Sequence, residues 1–349
     1  MTILIRLLPA IFLSSLALAA PTAAGGLADC RAMVNESERL ACYDRLSDIR
    51  EVDPVSVTAS PAALRSESTP VAKSDQEASV SMLGKAWELD SEHRGRILRV
   101  RPYKPVYILP IFHASNPNLQ PTSPSAGRTV SSPIDLNANE SKLQISLKTK
   151  IVEDLFGGNG DLWFGYTQSS RWQIYNGGLS RPFRETNHEP ELMYVWRTDY
   201  NLLGWHGRLF NLSLNHQSNG QSLPLSRSWN RVMLSTSLER ENWTMTLRPW
   251  WRVHESARND DNPDISNYLG RADMLLVRTE GKHQFSALLR HSLRTGDSNN
   301  GAVQLDYAFP IAGDLRGHLQ WFSGFGESMI DYNHRSNYFG MGVSLLEWY

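Results

Sequence analysis

From Pro105 to Tyr349 the chain alternates apolar and polar residues in short segments, separated by clusters of Gly, Asn, Asp and Pro and without a sustained helical period. A period of two puts successive side chains on opposite faces of a strand, so this region reads as all-β. About twelve segments can be marked, beginning near residues 105, 140, 161, 191, 204, 226, 242, 268, 283, 301, 315 and 336. Roughly ten residues per segment suits a tilted membrane-crossing strand. An even strand number suits a closed bacterial outer-membrane barrel. In 301–309, Val303, Leu305, Tyr307 and Phe309 fall on one face with Gln304 and Asp306 between them. In 339–349, Phe339, Met341, Val343 and Leu345 share a face. A secreted soluble sandwich would alternate in the same way with its apolar face turned inward. Aromatic residues at segment ends (Trp163, Trp172, Trp205, Trp250, Trp251, Trp321, Trp348) favour the barrel, where they would form interfacial girdles. A C-terminal Tyr349 on the last strand also resembles the sorting signal of outer-membrane proteins.

The expected architecture is therefore a twelve-stranded antiparallel transmembrane β-barrel with a short periplasmic N-terminal extension. Composition changes this picture little. A mean hydropathy of -0.39 looks soluble, but an alternating barrel averages its two faces. Thirty-five basic against 36 acidic side chains give a net charge of -1, which argues against a nucleic-acid partner.

Residues 1–20 have the layout of a cleaved export signal: Arg6, an apolar run from Leu7 to Leu18, then small residues. A small segment, 21–53, follows and holds the two cysteines of the chain, Cys30 and Cys42. In an oxidising compartment such a pair is expected to be a structural disulfide. Residues 54–83, rich in Ser, Ala and Pro, read as a flexible linker, and 84–349 as the barrel.

Candidate chemistry lies in 204–239, two alternating segments joined by a polar turn. Phe210, Leu212, Leu214, His216 and Ser218 share one face, and Asn211, Ser213, Asn215 and Gln217 the other. If the apolar face meets lipid, His216 and Ser218 do too. A hairpin centred near Leu223 sets His216 opposite Asn230 and Ser218 opposite Ser228, which assembles a nucleophile, a base and an orienting amide. Asn would fix the imidazole tautomer by accepting a hydrogen bond. Parity alone leaves an equal alternative, in which these residues sit idle at the rim of a porin or adhesin barrel. Neither GxSxG nor HExxH is present.

The strings YTQSSRWQIYN (166–176), PFRETNHEPEL (182–192), NHQSNGQSLPLSRSWNR (215–231), DDNPDI (260–265) and SGFGESMIDYN (323–333) together resemble outer-membrane phospholipase A. The resemblance runs from about residue 105 to the C-terminus and leaves out the first hundred residues. It implies calcium-dependent hydrolysis of both the sn-1 and sn-2 acyl esters of phospholipids and lysophospholipids, by a homodimer, in the bacterial outer membrane with the active site at the outer leaflet. Carried over by position, the nucleophile is Ser218, the general base His216 and the orienting amide Asn230. The Ca2+ ligands would be the carbonyl of Gln221, the hydroxyl of Ser226 and the carbonyl of Ser180 of the partner subunit, with Asp261 at a further acidic position. Gln168 matches a polar residue of the dimer interface. One departure stands out: Leu223 occupies a turn position where the family pattern has an aspartate, which implies a weakened calcium site in the monomer.

Overall fold

The computed structural model describes residues 30–48, 81–91, 94 and 97–349, without the side chains of 43–48. The expected signal at 1–20 and most of the expected linker lie outside the described residues. Helix α1 (Glu36–Asp48) belongs to an N-terminal unit in which Cys30 and Cys42 are disulfide-bonded. The rest is a second unit.

In that unit, twelve strands run antiparallel and close into a ring. They are β2 (Val106–Ala114), β3 (Asn139–Val152), β4 (Asp161–Trp172), β5 (Phe183–Leu202), β6 (Trp205–Ser218), β7 (Ser228–Arg240), β8 (Trp243–Arg252), β9 (Ala272–Glu280), β10 (His283–His291), β11 (Gly301–Ala312), β12 (Leu315–Phe325) and β13 (Arg335–Leu346). Each pairs with its sequence neighbours, and β13 pairs with β2 to shut the barrel. A short lead-in, β1 (Val100–Pro102), pairs with β3 on the edge that β2 continues. Eleven of the twelve start positions fall within a few residues of the sequence reading. The exception is β5, which begins at Phe183 and not near 191. Its first residues, Arg184 to His188, are polar on both faces, so parity carries no signal there.

The two ends differ. Tight turns such as 203–204, 241–242 and 281–282 connect strands at one end, and longer loops at 115–138, 173–182, 219–227 and 253–271 at the other. Outer-membrane barrels place short turns in the periplasm and long loops outside. Leu212, Leu214, Leu305, Phe339 and Met341 are exposed on the outer face, as lipid contact requires. Asn211, Ser213 and Asn215 on the same strand are buried in the interior.

The interior is filled by charge pairs. Glu189 meets Lys104 at 2.8 Å and Arg231 at 3.1 Å, Arg248 meets Asp273 at 2.8 Å, and Arg184 meets Glu140 at 2.8 Å. Lys104, Glu189, Arg231, Arg248 and Asp273 with their neighbours line a cavity of about 190 Å³. At the short-turn end α2 (Met82–Trp87) packs Leu83 and Trp87 against Trp163, Met193, Val195 and Leu209. Ser81 caps this helix and bonds Glu239 at 2.8 Å. Such a filled lumen is not the wide aqueous channel of a porin.

Two expectations about aromatic residues are corrected. Trp163 and Trp250 are buried in interior clusters and belong to no girdle, because the interior of this barrel has apolar cores of its own at both ends. Trp251 and Trp321 do face outward. Strand β13 ends at Leu346, so Tyr349 lies beyond it, and its carbonyl accepts from Gln284 Nε2 at 3.3 Å.

Candidate active site on the lipid-facing wall

The β6–β7 hairpin has the expected register: His216 pairs with Asn230 and Ser218 with Ser228. Phe210, Leu212 and Leu214 face outward, so His216 and Ser218, two and four residues beyond Leu214, continue the outer face toward the long-loop end. His216 Nδ1 lies 2.8 Å from Asn230 Oδ1. The amide has no ambiguity of orientation, because Asn230 Nδ2 donates to Glu255 Oε1 at 3.0 Å. With Asn230 Oδ1 as acceptor, Nδ1 carries the imidazole proton and Nε2 is left as the base.

Ser218 is flanked on its other side by β5, where His188 is its register partner. His188 in turn pairs with Gln168, so Gln168, His188, Ser218 and Ser228 form one row across four strands. The His188 ring is held by Tyr166, whose hydroxyl lies 2.7 Å from Nδ1. Gln168 therefore sits on the outer wall, half-buried, and not in the lumen.

The loop after Ser218 is rigidly built. Gly220 takes a positive φ of 61°, a conformation that costs glycine little. Asn219 is buried, and its Oδ1 accepts from the N–H groups of Gln221 and Arg227 at 3.3 and 3.0 Å. The guanidinium of Arg227, fully buried, donates to the carbonyls of Pro224 and Ser226 in its own loop and of Thr122 and Arg128 in the first long loop. Ser226 Oγ donates to Asp261 Oδ2 at 2.5 Å, and Arg128 Nε reaches Asp261 Oδ1 at 2.9 Å. Two of the anticipated calcium ligands, Ser226 and Asp261, are thus brought together. Gln221 lies in the same loop, whereas Ser180 is exposed at the tip of the 173–182 loop, bonded within its own turn. Leu223 is exposed at the hairpin tip. Sequence reasoning missed Glu255, His188 and Arg128. Of these only His188 carries a signal, since it lies in one of the quoted strings.

Residues 83–345 match the family model described as phospholipase A1. The chain belongs to that family. A Neisseria meningitidis relative is 36% identical over 343 residues, 90% of this chain and 89% of its own length. Phospholipase A1 of Escherichia coli is 40% identical over 207 residues, 59% of this chain and 70% of that protein. Among solved structures, the outer-membrane phospholipase of Salmonella typhi, a dimer with bound calcium, superposes with a TM-score of 0.67 at 31% identity, covering 77% of this chain and all of that one. A family member with this barrel is a phospholipid-ester hydrolase of the bacterial outer membrane.

Proposed function

We propose that the chain is a calcium-dependent phospholipase that cleaves the sn-1 and sn-2 acyl esters of phospholipids and lysophospholipids with a Ser218–His216–Asn230 triad, and that it works as a homodimer. The observation that carries this reading is the His216–Asn230 hydrogen bond on the lipid-facing wall, two residues from Ser218. Polar side chains near the rim cost little by themselves, so it is the orienting hydrogen bond, which an idle rim does not need, that supports a catalytic reading. Substrate then reaches the site sideways from the outer leaflet, since the long loops mark the outer end.

In this mechanism Ser218 Oγ attacks the acyl carbonyl while His216 Nε2 takes its proton. Asn230 Oδ1 holds the Nδ1–H and so stabilises the imidazolium. The oxyanion is met by a backbone N–H of the turn: those of Asn219 and Gln221 are bonded to the Arg227 carbonyl and to Asn219 Oδ1, so Gly220, two residues past Ser218, is the nearest candidate donor in the chain. His216 then protonates the departing glycerol oxygen, and water, activated by the same imidazole, releases the fatty acid.

The loop fits calcium in its donor chemistry. Gln221 offers a carbonyl, Ser226 a hydroxyl already drawn to the Asp261 carboxylate, and all are oxygen ligands of the kind a hard cation takes. A calcium ion bound there supplies positive charge to the oxyanion. Ser180, exposed on a separate loop, is available to donate its carbonyl to a second protomer, and the calcium-bound dimer of the Salmonella relative supports this arrangement.

Ser218→Ala tests the reading. It should abolish calcium-dependent fatty-acid release, by a factor of at least about 10³, while the folded barrel keeps its heat-modifiable gel migration. Full activity in that variant removes Ser218 from the role of nucleophile.

A further inference from the structure

Asn230 is a weak third member for a triad, for a physical reason. Its side chain has an oxygen and a nitrogen of nearly equal size, and rotation by 180° about its last bond exchanges them. In the wrong orientation Nδ2 would donate to His216 Nδ1. The imidazole proton would then sit on Nε2, and that nitrogen could not accept the proton of Ser218. An aspartate has no such second state, so a site that uses Asn needs something to remove it.

The structure assigns this task to Glu255: it is a positioning residue that holds the Asn230 amide in its productive orientation. The carboxylate accepts from Asn230 Nδ2 at 3.0 Å, on the side away from His216, whose Nδ1 is 2.8 Å from Oδ1. In the flipped state Oδ1 would face the carboxylate with no proton between them, a repulsive contact in a half-buried position. Glu255 is itself placed by the backbone. The N–H of Val253 donates to the Asn230 carbonyl at 2.8 Å, which prolongs the β7–β8 ladder past Arg252 and lays 253–255 alongside Asn230. The inference rests on the triad reading above.

The contact orients only if Glu255 acts through an acceptor oxygen, and this gives the test. Turnover and KM of the full chain are measured in mixed micelles with calcium for Glu255→Ala, Glu255→Gln, Asn230→Ala and the double variant Asn230→Ala/Glu255→Ala, with Ser218→Ala as the inactive control. Glu255→Ala should lower kcat roughly tenfold, the scale of one hydrogen bond to a charged group, with KM within about twofold of wild type. Glu255→Gln keeps an acceptor but adds an amide donor that can pair with the flipped Oδ1, so it should recover at most part of the rate. In the Asn230→Ala background, Glu255→Ala should cause no further loss, because no amide is left to orient. The inference is overturned if Glu255→Ala leaves kcat unchanged, if Glu255→Gln restores the full wild-type rate, or if the Glu255→Ala loss is as large without the amide as with it. Activity surviving in Ser218→Ala would instead overturn the triad reading, so the two failures are distinct.

Discussion

At the scale of single residues, the site depends on which atoms of each side chain are committed. Asn230 uses its oxygen on His216 and its nitrogen on Glu255, and so acts by geometry without a charge of its own. In the proposed triad, Asn230→Ala is expected to lower kcat on the order of tenfold and to leave KM nearly unchanged, because it would remove the interaction that stabilises the imidazolium during reaction. Steady-state kinetics on a lysophospholipid checks this. An equal loss in KM would mean that Asn230 shapes the binding surface. That Ser218, His216 and Asn230 lie together was legible because strand parity and a hairpin centre fix cross-strand neighbours from sequence numbers; their choice over an idle rim came from the family resemblance. Glu255 was not, because it lies in the aperiodic 253–271 loop, where spacing says nothing about which strand a side chain will meet.

At the scale of elements, the β6–β7 hairpin joins the two strands of the proposed triad, and its nine-residue loop, 219–227, carries two of the anticipated calcium ligands, Gln221 and Ser226. Leu223 stands at its tip, where the resemblance implies an acid. Restoring that carboxylate by Leu223→Asp should lower the calcium concentration needed to half-saturate the monomer, by roughly tenfold for one added charged oxygen ligand. Calcium binding followed by tryptophan fluorescence, in detergent below the protein concentration that favours dimers, is the relevant measurement. A midpoint that does not move would show that position 223 stays clear of the ion in this chain. The loop needs no such residue to keep its shape, since buried Asn219 and Arg227 tie it to its own backbone and to the first long loop. Strand positions were readable wherever one face was apolar. The start of β5 was not, since Arg184 and Glu185 serve the interior while Thr186 and His188 serve the outer wall, both polar.

At the scale of the whole molecule, an outer wall of apolar residues encloses an interior held by ion pairs, and this inversion is what the soluble-looking mean hydropathy averages away. The sequence showed the alternation but not the pairing, because interior charges such as Glu189 with Arg231 and Arg171 with Glu327 meet partners that are not on the next strand. Glu327, in the loop between β12 and β13, illustrates the consequence. Burial alone would raise its carboxyl, but Arg171 at 2.6 Å and Lys142 at 2.8 Å from Oε1 hold it down to about 2. A carboxyl whose folded pKa is depressed stabilises the fold above its unfolded value of about 4.3 and loses that contribution as pH falls toward the folded value. The long-loop end should therefore keep this stabilisation at neutral pH and surrender it between about pH 4 and 2. Glu327→Gln leaves Arg171 and Lys142 buried without their counter-charge, and a loss of about 3 kcal/mol or more is expected at pH 7. The same substitution should cost much less near pH 2, where the wild-type carboxyl is itself becoming protonated. Urea or guanidinium unfolding of both proteins in detergent at the two pH values measures the difference. A penalty independent of pH would mean that the glutamate acts there by packing and not by charge.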